Sequence, residues 1–290
     1  MKTKLLTLLL AVATTWAGQA EARWPSKKMI VGAVLGAVIY KAATANANGE
    51  PAYEANAPLK AGANDFGDCK QHFPNPTPPT IKRAGMREVC FDEFAILHSA
   101  ETRSPVFVAE RLTAAKVRSA RNEKRSDQFY EEARLPVSSR AHLTDYARSG
   151  FDRGHMAPAG NMPNARAMAQ SFSLANIVPQ DAENNRGVWA DIEKATRHFA
   201  LRASGNVFVF TGPHYQGTPE HIGPSRIPVP THLWKVVYDE AGQRAWAYWL
   251  PNTSTARIRR ITYLDYLQLG GIDVLAGVKL QPERHASSRD

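Results

Sequence analysis

The sequence predicts an α+β fold, and three observations carry that prediction. Short β-rich runs dominate: residues 94–98, 106–112, 207–210, 232–238 and 244–250 are built from branched and aromatic side chains and bounded by turn formers. One segment has a clear helical period, with Val188, Ile192, Ala195 and Phe199 spaced four, three and four apart. A hydrophobic content of 43% then allows an ordinary buried core.

The N-terminus reads as an export signal. Lys2 and Lys4 precede an apolar run from Leu5 to Ala17, and Ala20-Glu21-Ala22 fits a small-x-small cleavage pattern. Cleavage is expected after Ala22, with Ala20 as the neighbouring alternative, which predicts a periplasmic or secreted protein. Removing residues 1–22 deletes Lys2, Lys4 and Glu21 and lowers the net charge from +9 to +8. The chain stays basic, which suits a polyanionic partner.

A second apolar segment, Met29 to Tyr40, is too short to span a bilayer, since spanning takes about 20 apolar residues. It is expected to be a low-complexity segment, able at most to associate with a surface. With the Ala/Asn-rich stretch that follows, residues 23–68 read as a linker ahead of a domain at 69–280, and residues 281–290 as a polar tail. Cys69 and Cys90 are the only cysteines, and in an exported chain the even count predicts one disulfide closing the Pro-rich loop between them. No Cys-x-x-Cys or His-Glu-x-x-His is present, so zinc chemistry is disfavoured.

Within the domain, the runs at 94–98 and 106–112 predict an antiparallel pair. A basic irregular stretch with Arg111, Lys116, Arg118, Arg121, Lys124 and Arg125 follows. The run 207–210 predicts a strand ended by Gly212-Pro213, residues 232–238 and 244–250 predict a hairpin, and 262–269 a helix.

The chemistry concentrates in Asp152-Arg153-Gly154-His155. Phosphodiester hydrolysis needs an activated water, neutralisation of phosphate charge and help for the leaving oxygen. His155 can take a proton near neutral pH, and arginines give bidentate phosphate contacts. The amide oxygen of Asn185 suits a hard, hydrated cation such as Mg²⁺. In a straight helix, Asn185 and Glu193 lie eight positions and about 12 Å apart. They cannot readily share one ion's inner shell, so Glu193 is expected to act through water.

Together, Asp152-Arg153-Gly154-His155, Ala157-Pro158, Asn176-Ile177-Val178-Pro179-Gln180 and Asn185-x-Gly187-x-Trp189-x-x-x-Glu193 resemble the DNA/RNA non-specific endonuclease family. That family includes the secreted Serratia nuclease and mitochondrial endonuclease G, and the resemblance implies the ββα-metal nuclease fold. It further implies an Mg²⁺-dependent, sugar-non-specific endonuclease acting on DNA and RNA, with Mn²⁺ as a substitute ion. His155 would be the general base, Asn185 the metal ligand, and Glu193 a holder of the metal's waters. Asn176 would support the site, and Arg153 and Arg197 would aid phosphate binding or geometry. The family's upstream arginine is matched to Arg121, with Arg118 or Arg125 as alternatives. Two competing readings are a non-catalytic, basic nucleic-acid-binding surface protein and a phosphodiesterase for small substrates. The sequence leaves a homodimer open.

Overall fold

Alternating burial along the strands decides how the chain layers. In the computed structural model, which describes residues 65–79, 81 and 83–281, Val207 and Val209 turn to one side of their strand and Phe208 and Phe210 to the other. The expected export signal, the 29–40 segment and the tail beyond Gln281 lie outside the described residues.

The described chain enters through a 3-10 turn, Phe66–His72, N-capped by Asp65. Strands β1 (Met86–Cys90), β2 (Phe94–Ser99) and β3 (Ser104–Leu112) follow, then helix α1 (Ala114–Ala120), capped by the Thr113 hydroxyl. After an irregular stretch come α2 (Leu143–Tyr146), β4 (Asp152–His155), α3 (Ala165–Ser171) and β5 (Ile177–Gln180). A continuous helical rod is made of α4 (Ala182–Asn184), a π-helical turn (Asn185–Trp189) and α5 (Ala190–Ala200). The chain then forms β6 (Val207–His214), β7 (His221–Ile222), β8 (Ile227–Pro228), β9 (His232–Asp239), β10 (Arg244–Pro251), β11 (Arg260–Thr262) and α6 (Tyr263–Gln268).

Seven strands make one antiparallel sheet in the order β1-β2-β3-β6-β9-β10-β11. One face buries Phe107, Phe210 and Trp234 against Phe66, Phe73 and Tyr266. The other face buries Ile96, Val108 and Leu233 against Met156, Phe172, Trp189 and Ile192. Each fully buried large apolar side chain contributes about 1.5–3 kcal/mol. The second face also carries the β4–β5 ribbon, paired Asp152 to Gln180 through His155 to Ile177, and the helical rod that follows it. The expected α+β architecture and both predicted hairpins are present.

The expected disulfide joins Cys69 and Cys90, with Cα atoms 5.7 Å apart. Two details differ from the sequence reading. β6 runs on through Gly212 and Pro213, because its pairing with β3 stops at Thr211 and Pro213 lies beyond that ladder. Gly212 is required there, since a Cβ would meet the Trp234 ring at 2.5 Å and the Val106 carbonyl oxygen at 2.6 Å. The helical rod buries Trp189, Ile192, Thr196 and Ala200, while Ala195 is exposed. The π turn inserts one residue into the helical phase, so the row Asn185, Trp189, Glu193, Arg197 faces the protein, not solvent.

Candidate active site

His155 ends β4, and the chain beyond it is clamped. The Met156 amide donates to the Asn176 carbonyl (2.9 Å). The Asn176 side chain accepts from the Ala157 amide (2.8 Å) and donates to the carbonyls of Ala157 and Ser171 (2.9 Å each). Asn176 is wholly buried, and its amide is spent on bracing this backbone. The structure thus puts Asn176 behind the site as a positioning residue.

The His155 ring packs against the touching pair Phe129 and Phe172, with centroids 5.4 and 4.9 Å away. Its Nε2 is buried with no hydrogen-bond partner. Burial, reinforced by the Arg125 guanidinium, pushes its pKa down to about 3, against the opposing influence of Asp127 and the Arg153 backbone carbonyl. The ring is therefore neutral at pH 7, with a bare nitrogen able to accept a proton. Gly154 is required by the ribbon: a Cβ there would sit 2.1 Å from Gln180 Oε1. That glutamine donates to Asn184 Oδ1 (2.9 Å) and so ties β5 to α4.

Asp152 organises the entry to the helical rod. It accepts from Asn185 Nδ2 (2.9 Å) and takes a two-pronged contact from Arg186 (2.8 and 2.6 Å). Burial pushes its carboxyl up, but the bonds from Arg186 and Asn185 outweigh that and hold its pKa below the usual range. A carboxylate only accepts, so the NH₂ end of Asn185 must face it and Oδ1 points away. That amide oxygen, one hard donor at the π turn, is chemically suited to a divalent cation that keeps most of its waters.

Behind it lies a largely buried polar network that joins the expected Glu193 and Arg197 to residues not expected from sequence, Glu110, Asn161, Thr211 and Lys235. Strand alternation sets Glu110 (β3), Thr211 (β6) and Lys235 (β9) on the site face, beside Val108, Val209 and Val237. Lys235 Nζ donates to Thr211 Oγ1 (2.6 Å) and lies 5.1 Å from the Trp189 ring centroid. Glu110 accepts from Asn161 Nδ2 (3.0 Å), Asn161 Oδ1 accepts from Arg197 (3.3 Å), and Arg197 pairs with Glu193 at 4.0 Å. Burial raises the Glu193 pKa to about 7, with Lys235 and Arg197 pulling it down and Glu110 adding to the rise. Glu110 and Lys235 each resemble a solvated surface charge when read alone, so no local signal marks them.

Of the upstream candidates Arg118, Arg121 and Arg125, Arg125 is the one whose charge reaches His155 and Glu193. Its guanidinium lies 5.0 Å from the Phe172 ring centroid, and its charge acts on both His155 and Glu193. Arg121, the residue preferred from sequence, is the exposed C-cap of α1, and no contact of its side chain with His155 or Glu193 occurs among the described residues. The segment after α1 is irregular, so no period was available to set the register. Arg153 is exposed and stacks 4.2 Å from the Phe129 ring centroid.

Residues 79–281 match the family model described as DNA/RNA non-specific endonuclease. The chain is 34% identical over 168 residues to the mitochondrial nuclease EXOG of Danio rerio, covering 54% of this chain and 48% of that protein. It is 33% identical over 161 residues to the mitochondrial endonuclease G of Homo sapiens, covering 52% and 54%. The chain thus spans about half the length of these relatives. A solved EndoG structure, in complex with its inhibitor EndoGI, superposes with a TM-score of 0.58 at 26% identity, covering 71% of this chain and 89% of that one. These relatives are named as mitochondrial nucleases, which overturns the expected periplasmic or secreted location. Among the described residues no helix is long and apolar enough to cross a membrane.

Proposed function

The chain belongs to the DNA/RNA non-specific endonuclease family, and on that premise we propose that it is a metal-dependent endonuclease hydrolysing the phosphodiester bonds of DNA and RNA. The observation that carries this reading is the pairing of a bare, neutral His155 Nε2 with an Asn185 amide oxygen left free by Asp152. The first can take a proton and the second can hold a hard cation. A bound Mg²⁺, or Mn²⁺ in its place, would neutralise charge on the phosphate and the leaving oxygen.

His155 accepts the proton of the attacking water; its ring is neutral at pH 7, so a nitrogen lone pair is available for that transfer. Phe129 and Phe172 keep the ring in place, so the proton transfer needs no reorientation. Asn185 Oδ1 would hold the cation, and Glu193, from the next turns of the rod, would hold water near it. Arg125 and Arg153 flank the imidazole and contact the phosphate; Arg197 steadies Glu193. Because phosphate contacts carry no base identity, cleavage has little sequence preference.

The test is incubation of the purified full chain with supercoiled plasmid and with a long RNA, in Mg²⁺ and in EDTA. The expected result is cleavage of both polymers in Mg²⁺ and none in EDTA. Undiminished cleavage in EDTA would remove the metal from the mechanism. Binding of both polymers with no cleavage would make the protein a basic nucleic-acid-binding module. Turnover of small diesters alone would make it a small-substrate phosphodiesterase.

A further inference from the structure

On the sheet face opposite the candidate active site, His214 and His232 stand directly across from each other on β6 and β9. Their ring centroids are 6.1 Å apart, and Trp249 on β10 packs against both, at 4.7 and 5.8 Å. Both imidazoles are half-buried, so water and ions reach them from one side. Burial lowers both pKa values, and for His214 the neighbouring His232 adds to the effect. Both rings are therefore neutral at pH 7.

The hydrogen bonds fix the state of one ring. The Thr231 hydroxyl has a single proton, which it donates to the His214 carbonyl oxygen (3.1 Å). The same hydroxyl oxygen accepts from the Gln216 amide (3.1 Å). Its contact with His232 Nδ1 (3.2 Å) must then be an N–H donation from the imidazole. His232 is consequently the Nδ1–H tautomer, with a bare Nε2. A hydrogen-bond acceptor for the far nitrogen is what orients and strengthens a metal-binding histidine.

We propose that His214 and His232 form a two-imidazole site for a borderline transition-metal ion, Cu²⁺ or Zn²⁺, separate from the oxygen-based site at Asn185. Directly opposed residues in an antiparallel pair have Cβ atoms about 4.5–5.5 Å apart. Nitrogens at about 2.0–2.1 Å from one ion put the ring centroids on the order of 5–6 Å apart, and a small ring rotation closes the 6.1 Å seen. Imidazole nitrogen favours these ions over Mg²⁺, and Cu²⁺ binds more tightly than Zn²⁺. The ion would cross-link β6 to β9 beside Trp249.

Titrating Cu²⁺ into the metal-free full chain, with saturating Mg²⁺ present, reads the site through tryptophan fluorescence. Wild type is expected to show a saturable quench at one equivalent, with Zn²⁺ competing at higher concentration. His214→Asn and His232→Asn should each weaken the apparent affinity at least tenfold. Unchanged affinity in both variants overturns the proposal. Trp249→Phe keeps both ligands and should lose most of the quench, so it decides the matter if a histidine variant fails to fold. A full quench persisting in Trp249→Phe places the ion elsewhere and overturns the site.

Discussion

At Asn185 a single hydrogen bond decides which end of the amide is left for an ion. Asp152 makes that bond and holds Arg186 with both oxygens, so it sets the geometry of this part of the rod. Asp152→Asn keeps the shape but lets Asn185 flip. The Mg²⁺ concentration for half-maximal cleavage should rise about tenfold, as for lost outer-shell partners of other metal sites, while the rate at saturating Mg²⁺ falls only a few-fold. A metal titration of the cleavage rate checks this; an inactive but folded variant at high Mg²⁺ would assign Asp152 a chemical role. His72 governs stability in a different pH range. Burial, with Lys116 adding to it, lowers its pKa to about 4, below the unfolded value near 6.5. The unfolded chain therefore binds more protons between these values, and stability is lost as pH falls from about 6.5 to 4. His72→Gln retains a donor for the Phe91 carbonyl and should flatten that acid limb. Melting temperatures of both proteins from pH 4 to 7 measure it.

At the scale of elements, the β4–β5 ribbon and the helical rod act as one unit because Gln180 lies across Gly154 and reaches Asn184. Gly154→Ala would force that glutamine aside, at a cost of about 1–3 kcal/mol for overpacking, and would shift the rod relative to His155. The expected outcome is a stability loss of that size by urea denaturation, with a larger proportional loss of cleavage. Equal stability and activity would show that the ribbon yields without consequence. The motif in β4 and the candidates Asn185 and Glu193 could be picked out in the sequence because ribbon and rod keep them close along the chain. The buried face of the rod was not, since one extra residue in the π turn turns Trp189 and Thr196 inward and leaves Ala195 outside. Arg125 was interchangeable with Arg121 on paper, as an irregular segment offers no register. Glu110 and Lys235 were invisible for a further reason: they meet Glu193 only after distant strands are placed side by side in the sheet.

For the whole molecule, the sheet divides the protein into two working faces. One supports the ribbon, the rod and the Glu110–Lys235–Glu193–Arg197 group; the other is closed by the N-terminal 3-10 turn and α6. The β-rich runs announced this sheet in advance, whereas the location suggested by the N-terminus did not survive comparison with the relatives. A basic chain that holds its substrate through phosphates should bind in a salt-dependent way, each contact contributing a slope of about −0.9 in a plot of log affinity against log salt on duplex DNA. Arg125→Gln should reduce that slope by about 1 with the same effect on unrelated sequences. Binding curves on two duplexes of different sequence, from low to moderate salt, test it; a sequence-dependent loss would mean that Arg125 reads bases.

The central claim, that His155 performs the proton transfer at a metal-dependent phosphodiesterase centre, is tested most directly by initial rates of plasmid and RNA cleavage in saturating Mg²⁺ for wild type and His155→Ala. The ring is held by packing and its Nε2 has no partner, so its removal should leave the fold and substrate affinity intact while lowering the rate on both polymers by about 10²–10⁴-fold. A folded His155→Ala protein that cleaves either polymer at the wild-type rate would contradict the account.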